Sequence, residues 1–177
     1  ADRYFNQNGC SGRYDAIHTS FHNVPNANEL SWYCMFGDPR SDRYELWTTM
    51  GHLYKGGVWF KKKSVLQAEG KYNTEKSADN ITDLRTTYKD YNNSVSFETP
   101  SASDAGNYFY LPTLGFYADG QLYSLSGTGF YWSSSVDPRA CFMAYYLMCN
   151  SGGVNVYGNG NRGNGYRAQP FSDFGDN

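Results

Sequence analysis

The sequence predicts an α+β fold, two short helices packed on short antiparallel strands. Helix-capping pairs and apolar residues at helical spacing gather in the first half, whereas period-two alternation takes over from Tyr108. Seventeen Tyr, eleven Phe and four Trp among 177 residues, with abundant Gly and Asn, imply an aromatic core bounded by many turns.

The first helix begins at Asn26-Ala27-Asn28-Glu29, where the Asn26 side chain can cap and Glu29 can reach back to it. Leu30, Tyr33 and Cys34 then share one face, and Gly37 before Asp38-Pro39 stops the helix after about ten residues. A second box, Asp42-Arg43-Tyr44-Glu45, precedes Leu46, Met50 and Leu53 at helical spacing and closes at Gly56-Gly57, which predicts the second helix. Ile81, Leu84 and Tyr88 outline a third helical stretch, weakened by Thr82, Thr86 and Thr87. Strands follow: Tyr108 to Leu111, then residues 115–123 folded about Asp119-Gly120, a pair suited to a tight hairpin. Phe130 to Ser134, Phe142 to Cys149, Val154 to Tyr157 and Tyr166 to Phe171 complete the set. Leu147 and Cys149 fall on one side of their strand and Val154 and Val156 on one side of the next, with Asn155 and Tyr157 pointing the other way.

At 20.0 kDa the chain fits a single domain over residues 1–177. A net charge of -2 and a pI near 5.9 offer no general attraction for phosphate backbones or anionic lipid, which argues against a nucleic-acid partner. The one basic run, Lys61-Lys62-Lys63, reads as a solvated edge or helix end. No stretch approaches the ~20 apolar residues of a membrane span, so direct membrane insertion of this domain is not expected. The residues from Ala1 onward lack a signal-peptide core, which is compatible with a leader or anchor on a longer chain. Cys10, Cys34, Cys141 and Cys149 lack CxxC spacing and allow three pairings.

Four segments carry a resemblance: Val24 to Cys34 (VPNANELSWYC), Tyr110 to Phe116 (YLPTLGF), Gly129 to Ser135 (GFYWSSS) and Tyr166 to Phe171 (YRAQPF). They resemble the C-type-lectin-like domains related to the formylglycine-generating enzyme. More narrowly, they resemble the variable proteins of diversity-generating retroelements from gut Bacteroidales and their phages. The resemblance spans about Asn23 to Phe171 and implies a C-type-lectin-like fold. It also implies a variable ligand-binding segment at 132–171 and an extracellular place on a bacterial surface or a virion. The implied partner is a protein or glycan on a cell surface, bound without cofactor, metal or catalysis.

In that family, diversity arises by mutating adenines. Randomising the first two bases of an Asn codon leaves a pyrimidine third, which encodes neither Lys, Glu, Gln, Met nor Trp. No Glu follows Glu98 and no Lys follows Lys89, although a turn-rich sheet accounts for part of that absence. Trp132, Met143, Met148 and Gln169 are therefore scaffold, and Leu147, Val154 and Val156 are expected beside Trp132 in the core. The ligand-binding candidates are Asp137, Arg139, Phe142, Asn150, Asn155, Tyr157, Asn159, Asn161, Asn164 and Tyr166. Tyr gives rigid contact area and Asn, Ser and Gly adaptable hydrogen bonding, as in antibody paratopes. Tyr157, Phe142 and Arg139 are the expected anchors, worth ~2 kcal/mol each on truncation.

Two other function classes compete. A formylglycine-generating-type oxidase needs a reactive cysteine pair, for which Cys141 and Cys149 are the candidates, yet their setting does not reproduce the family's catalytic surroundings. A fimbrial or virion subunit would use the fold for assembly alone. The calcium-lectin tripeptides Glu-Pro-Asn, Gln-Pro-Asp and Trp-Asn-Asp are absent. His18 and His22 stand four apart without the Glu of a zinc-protease helix, and residues 158–163 lack the Lys and helix of a phosphate loop. Ser133 to Ser135 lie in a strand-like stretch, not on a nucleophile elbow.

Overall fold

The computed structural model describes residues 16 and 19–171. It is α+β, with mostly antiparallel sheets and few helices. Its elements are α1 (Ala27–Phe36), β1 (Arg40–Thr49), β2 (His52–Lys61), α2 (Lys63–Ala68), β3 (Tyr91–Asn93), β4 (Tyr108–Pro112), β5 (Phe116–Ala118), β6 (Gln121–Tyr123), β7 (Thr128–Asp137), β8 (Ala140–Asn150) and β9 (Gly153–Asn161).

The capping box forms as its residues dictate. Asn26 Oδ1 accepts from the Glu29 amide and Glu29 Oε2 accepts from the Asn26 amide, so two amides with no intrahelical partner are satisfied at the start of α1. The helix is buried on nearly every side, with Leu30, Tyr33 and Cys34 in the core. Its buried polar groups pin the long loop after α2. Asn28 donates to Asp83 and accepts from the Leu84 amide, Ser31 accepts from the Ala78 amide, and the Trp32 indole donates to the Lys76 carbonyl. Each buried polar atom thus keeps a partner while the loop loses its freedom.

The second predicted helix does not form; β1 and β2 make a long antiparallel hairpin there. The Asp42 box closes locally, with Asp42 Oδ1 accepting from the Tyr44 and Glu45 amides. Those bonds build a bulge, where the register shifts between Asp42 and Leu46, and not a helix start. Leu46, Met50 and Leu53 are 58%, 61% and 64% exposed, so their spacing marks no buried stripe. The turn is Met50-Gly51, at φ +49 and +77, in the two-residue conformation hairpins favour. Gly56 and Gly57 lie inside β2 because a ring crosses the backbone: a Cβ on Gly57 would fall 2.5 Å from Tyr110 Cζ. Residues 81–88 form turns, and the segment predicted as a strand at Tyr166 to Phe171 is extended chain held by one bridge to Tyr131. The lysine run spans the end of β2 and the start of α2.

β1, β2 and β4 form one sheet, β3, β9, β8 and β7 a second, and β5 and β6 a hairpin turning at Asp119-Gly120 (φ +49 and +75). One face of the second sheet enters the main core with α1: Tyr131, Leu147, Cys149, Val154 and Val156, with Leu147 opposite Val156 and Cys149 opposite Val154. Tyr33, Phe109 and Phe171 pack edge-on or tilted, 5.3–5.6 Å apart, between the two larger sheets.

Candidate functional site

The opposite face of the second sheet is also apolar. Register places Phe130 beside Met148, and Met148 beside Asn155; it likewise lines up Trp132, Tyr146 and Tyr157. After β9 the chain returns along β7, where the Trp132 amide donates to the Arg167 carbonyl and the Arg167 amide to the Phe130 carbonyl. This return lays the Tyr166 ring over its neighbours, 4.3 Å from Trp132, 5.0 Å from Phe130 and 5.0 Å from Tyr146. Phe116 extends the band through Phe130 at 4.8 Å. Fixed rings with polar edges make a rigid, adaptable contact surface of the kind paratopes use.

Asparagines fringe the band. Tyr157 Oη donates to Asn155 Oδ1 at 3.1 Å, Tyr146 Oη to Asn159 Oδ1 at 3.3 Å, and Asn164 Nδ2 to Tyr166 Oη at 3.1 Å. Asn155, Tyr157, Asn164 and Tyr166 are half-buried and Asn159 exposed. Burial raises the Tyr146 hydroxyl well above the usual tyrosine range, and raises Tyr166 despite the Asn164 amide that works against it, so these phenols stay neutral.

The other candidates lie elsewhere. A register shift between Ala144 and Tyr146 turns Gly160 toward Trp132 and Tyr146 and sets Asn161 opposite Met143. The alternation that groups Asn161 with Asn155 and Tyr157 is thereby broken, and Asn161 Oδ1 accepts from the Gly163 amide. Asn150 is likewise a turn residue, accepting from the Gly152 and Gly153 amides. Asp137 is a correction: its side chain is fully buried and presents nothing to a ligand. It holds Arg139 through two hydrogen bonds of 2.8 and 3.1 Å, and the guanidinium lies over the Tyr88 ring. The Asp137 hydrogen bond raises the Arg139 pKa further, against a smaller opposing effect of burial. Arg139 and Asp137 thus brace the β7–β8 turn, although half of the Arg139 side chain stays exposed. Phe142 is 57% exposed near the start of β8.

Trp132, Leu147, Val154 and Val156 are buried, Trp132 in the smaller outer cluster and the other three in the main core. Sequence reasoning missed Phe116, Phe130 and Tyr146 as parts of the surface. The available signal was that β7 and β8 are aromatic or apolar at both parities, Phe130 and Trp132 against Tyr131, which means a sheet covered on both sides.

Cys141 is disulfide-bonded, whereas Cys34 and Cys149 are free and buried; Cys10 lies outside the described residues. Burial pushes the Cys34 and Cys149 thiols up to about 12. Cys141 and Cys149 stand eight residues apart on one strand, about 26 Å at ~3.3 Å per residue, so they form no reactive pair. Among the described residues no group of three His, Cys, Asp or Glu side chains converges as for a metal, and His18 lies outside them. No helix among them is long and apolar enough to cross a membrane. Compared with protein-family models, with curated proteins and with solved structures, the chain matches none.

Proposed function

We propose that this chain is a ligand-binding variable protein of the diversity-generating retroelement type. In this reading a C-type-lectin-like scaffold displays the outer face of β7, β8 and β9 and the C-terminal return to a protein or glycan on a cell surface. The observation that carries the reading is the hydrogen bonding of the Asn fringe. Asn155, Asn159 and Asn164 are joined through their side chains to Tyr157, Tyr146 and Tyr166, while backbone pairing holds the strands beneath them. Side chains there can change while the ladder persists, and exposed substitutions of this kind typically alter stability by only about 0.5 kcal/mol. The disulfide at Cys141 supports an oxidising, extracellular setting, on a bacterial surface or a virion. Weak individual contacts would add up if many copies are displayed together.

Sequencing this locus across a population tests the reading. Substitutions concentrated at adenine-containing codons of residues 132–171, beside a near-copy of that segment and a reverse transcriptase gene, are the expected result. An unvarying segment overturns it and leaves assembly of a fimbria or virion as the better account.

A further inference from the structure

Arg167 and Gln169, on the far side of the return from Tyr166, line a separate cleft of about 440 Å³ together with Trp47, Trp59, Tyr110 and Glu45. That volume lies within the ~300–1,000 Å³ of small-molecule sites. The indoles are held in place by their own hydrogen bonds. Trp47 Nε1 donates to the Gly56 carbonyl at 2.8 Å and its ring stacks on Tyr54 at 5.1 Å; Trp59 Nε1 donates to Asp42 Oδ2 at 3.1 Å and its ring leans on Tyr110 at 4.9 Å. With both N–H groups used internally, the two half-buried indoles offer apolar ring surface.

The polar groups are set apart by type. Glu45 is exposed, and among the described residues its carboxylate has no hydrogen-bond or ion-pair partner, which leaves an acceptor-only group. Arg167 makes one side-chain hydrogen bond among them, Nε to Gln169 Oε1 at 3.1 Å, so its remaining N–H groups are donors held in position by a buried amide. Aromatic walls with an acceptor-only and a donor-only group fit a ring that is C–H-rich on one face and rimmed by hydroxyls, which both donate and accept. An anionic ligand would meet Glu45, and a flat apolar one would strip water from two charges without replacing their hydrogen bonds.

We propose that this cleft binds a neutral pyranose unit of a glycan. The test uses the methyl glycosides of glucose, galactose, mannose and N-acetylglucosamine, with methyl glucuronide as the acidic comparator, each titrated into ¹⁵N-labelled protein. The indole N–H signals report position. At least one neutral glycoside shifts Trp47 and Trp59 and leaves Trp132 unmoved. Arg167→Ala and Glu45→Gln each weaken that binding about tenfold, as loss of a charge-assisted hydrogen bond does, while Gln67→Ala on α2 does not. Circular dichroism checks that the variants fold. Binding by no glycoside, preference for the glucuronide, shifts at Trp132 in place of Trp47 and Trp59, or undiminished affinity in both cleft variants overturns the proposal. None of these outcomes depends on whether residues 132–171 vary in a population.

Discussion

Gly160→Ala is the sharpest probe of how the outer face is built. A Cβ at Gly160 would lie 2.6 Å from Trp132 Cζ3, 2.7 Å from Tyr146 Cδ1 and 2.9 Å from the Ala144 carbonyl oxygen. The two rings are packed beneath Tyr166, and the carbonyl is backbone of the paired strand, so none of the three can swing aside cheaply. Two effects oppose each other. Replacing Gly reduces the freedom of the unfolded chain and favours Ala by ~0.4–1 kcal/mol, whereas overpacking costs ~1–3 kcal/mol. With three simultaneous overlaps the second effect dominates, and a net loss of about 2 kcal/mol lowers Tm by about 4–8 °C in a chain of this size. Differential scanning calorimetry against Gly106→Ala, where a Cβ meets nothing within 4 Å, separates packing from backbone effects. A Gly160→Ala protein melting at or above the parent temperature would refute the claim that Trp132 and Tyr146 pack directly on the β9 backbone.

Arg139→Ala should destabilise the fold by about 2 kcal/mol, because it strips the buried Asp137 carboxylate of its charged partner; an unchanged urea midpoint would return Arg139 to the role of ligand anchor. The Cys34 and Cys149 thiols, pushed up to about 12 by burial, should resist iodoacetamide at pH 8 in the folded protein and react once it is unfolded without reductant; native-state alkylation would contradict their burial. Burial opposes ionisation of Asp83, but hydrogen bonds from Arg85 and Asn28 outweigh it and hold the carboxyl at about 2. A folded pKa below the unfolded value of ~3.9 means the contribution is complete above pH ~4 and lost as pH falls toward 2, and solvent screening at this partly exposed site limits it to ~1 kcal/mol. Asp83→Asn should flatten stability across that window, and an acid-unfolding curve parallel to the parent's would show otherwise. Tyr110 Oη is buried with no hydrogen-bond partner, so Tyr110→Phe should leave stability unchanged or raise it by ~1 kcal/mol; a clear loss in chemical denaturation would reveal a partner.

Local chemistry was legible where it was also decisive. Asn26 and Glu29 close their box within one turn, and Asp119-Gly120 adopts the left-handed angles its residue types favour. The Met50-Gly51 turn uses the same angles, but Met is no turn residue, so nothing in the sequence marks it. The Asp42 box illustrates the limit more sharply: its hydrogen bonds form, yet pairing of β2 with β4 on its far side makes the strand the better partner for this segment. Tertiary pairing thus overrides a helical pattern whose apolar residues have nothing to bury against. In the candidate site, Asn155 and Tyr157 follow from simple alternation along β9. Asn161 does not, because the register shift before it is caused by rings contributed from β7 and β8. Asp137 reads as a polar turn residue in sequence, and only the fold shows its carboxylate enclosed.

The outer face combines positions of very different tolerance, and this bears on how a variable surface can exist at all. Asn155 and Asn159 each bond one phenolic hydroxyl, so replacing either forfeits one polar contact at a half-buried or exposed place, worth about 1 kcal/mol or less. Tyr166 is different, since its ring touches Phe116, Phe130, Trp132 and Tyr146 and completes the cover over the smaller cluster. Tyr166→Ala should therefore cost about 3 kcal/mol, the range of large-to-small changes at packed aromatics, although the backbone bonds of the return survive it. Tyr166→Phe should cost little, losing only the Asn164 contact. Measured side by side in urea, the two variants assign Tyr166 to the framework if they differ by at least 2 kcal/mol. Equal costs would instead place Tyr166 among the freely exchangeable positions, and the rigid aromatic floor beneath the asparagines would have to be abandoned.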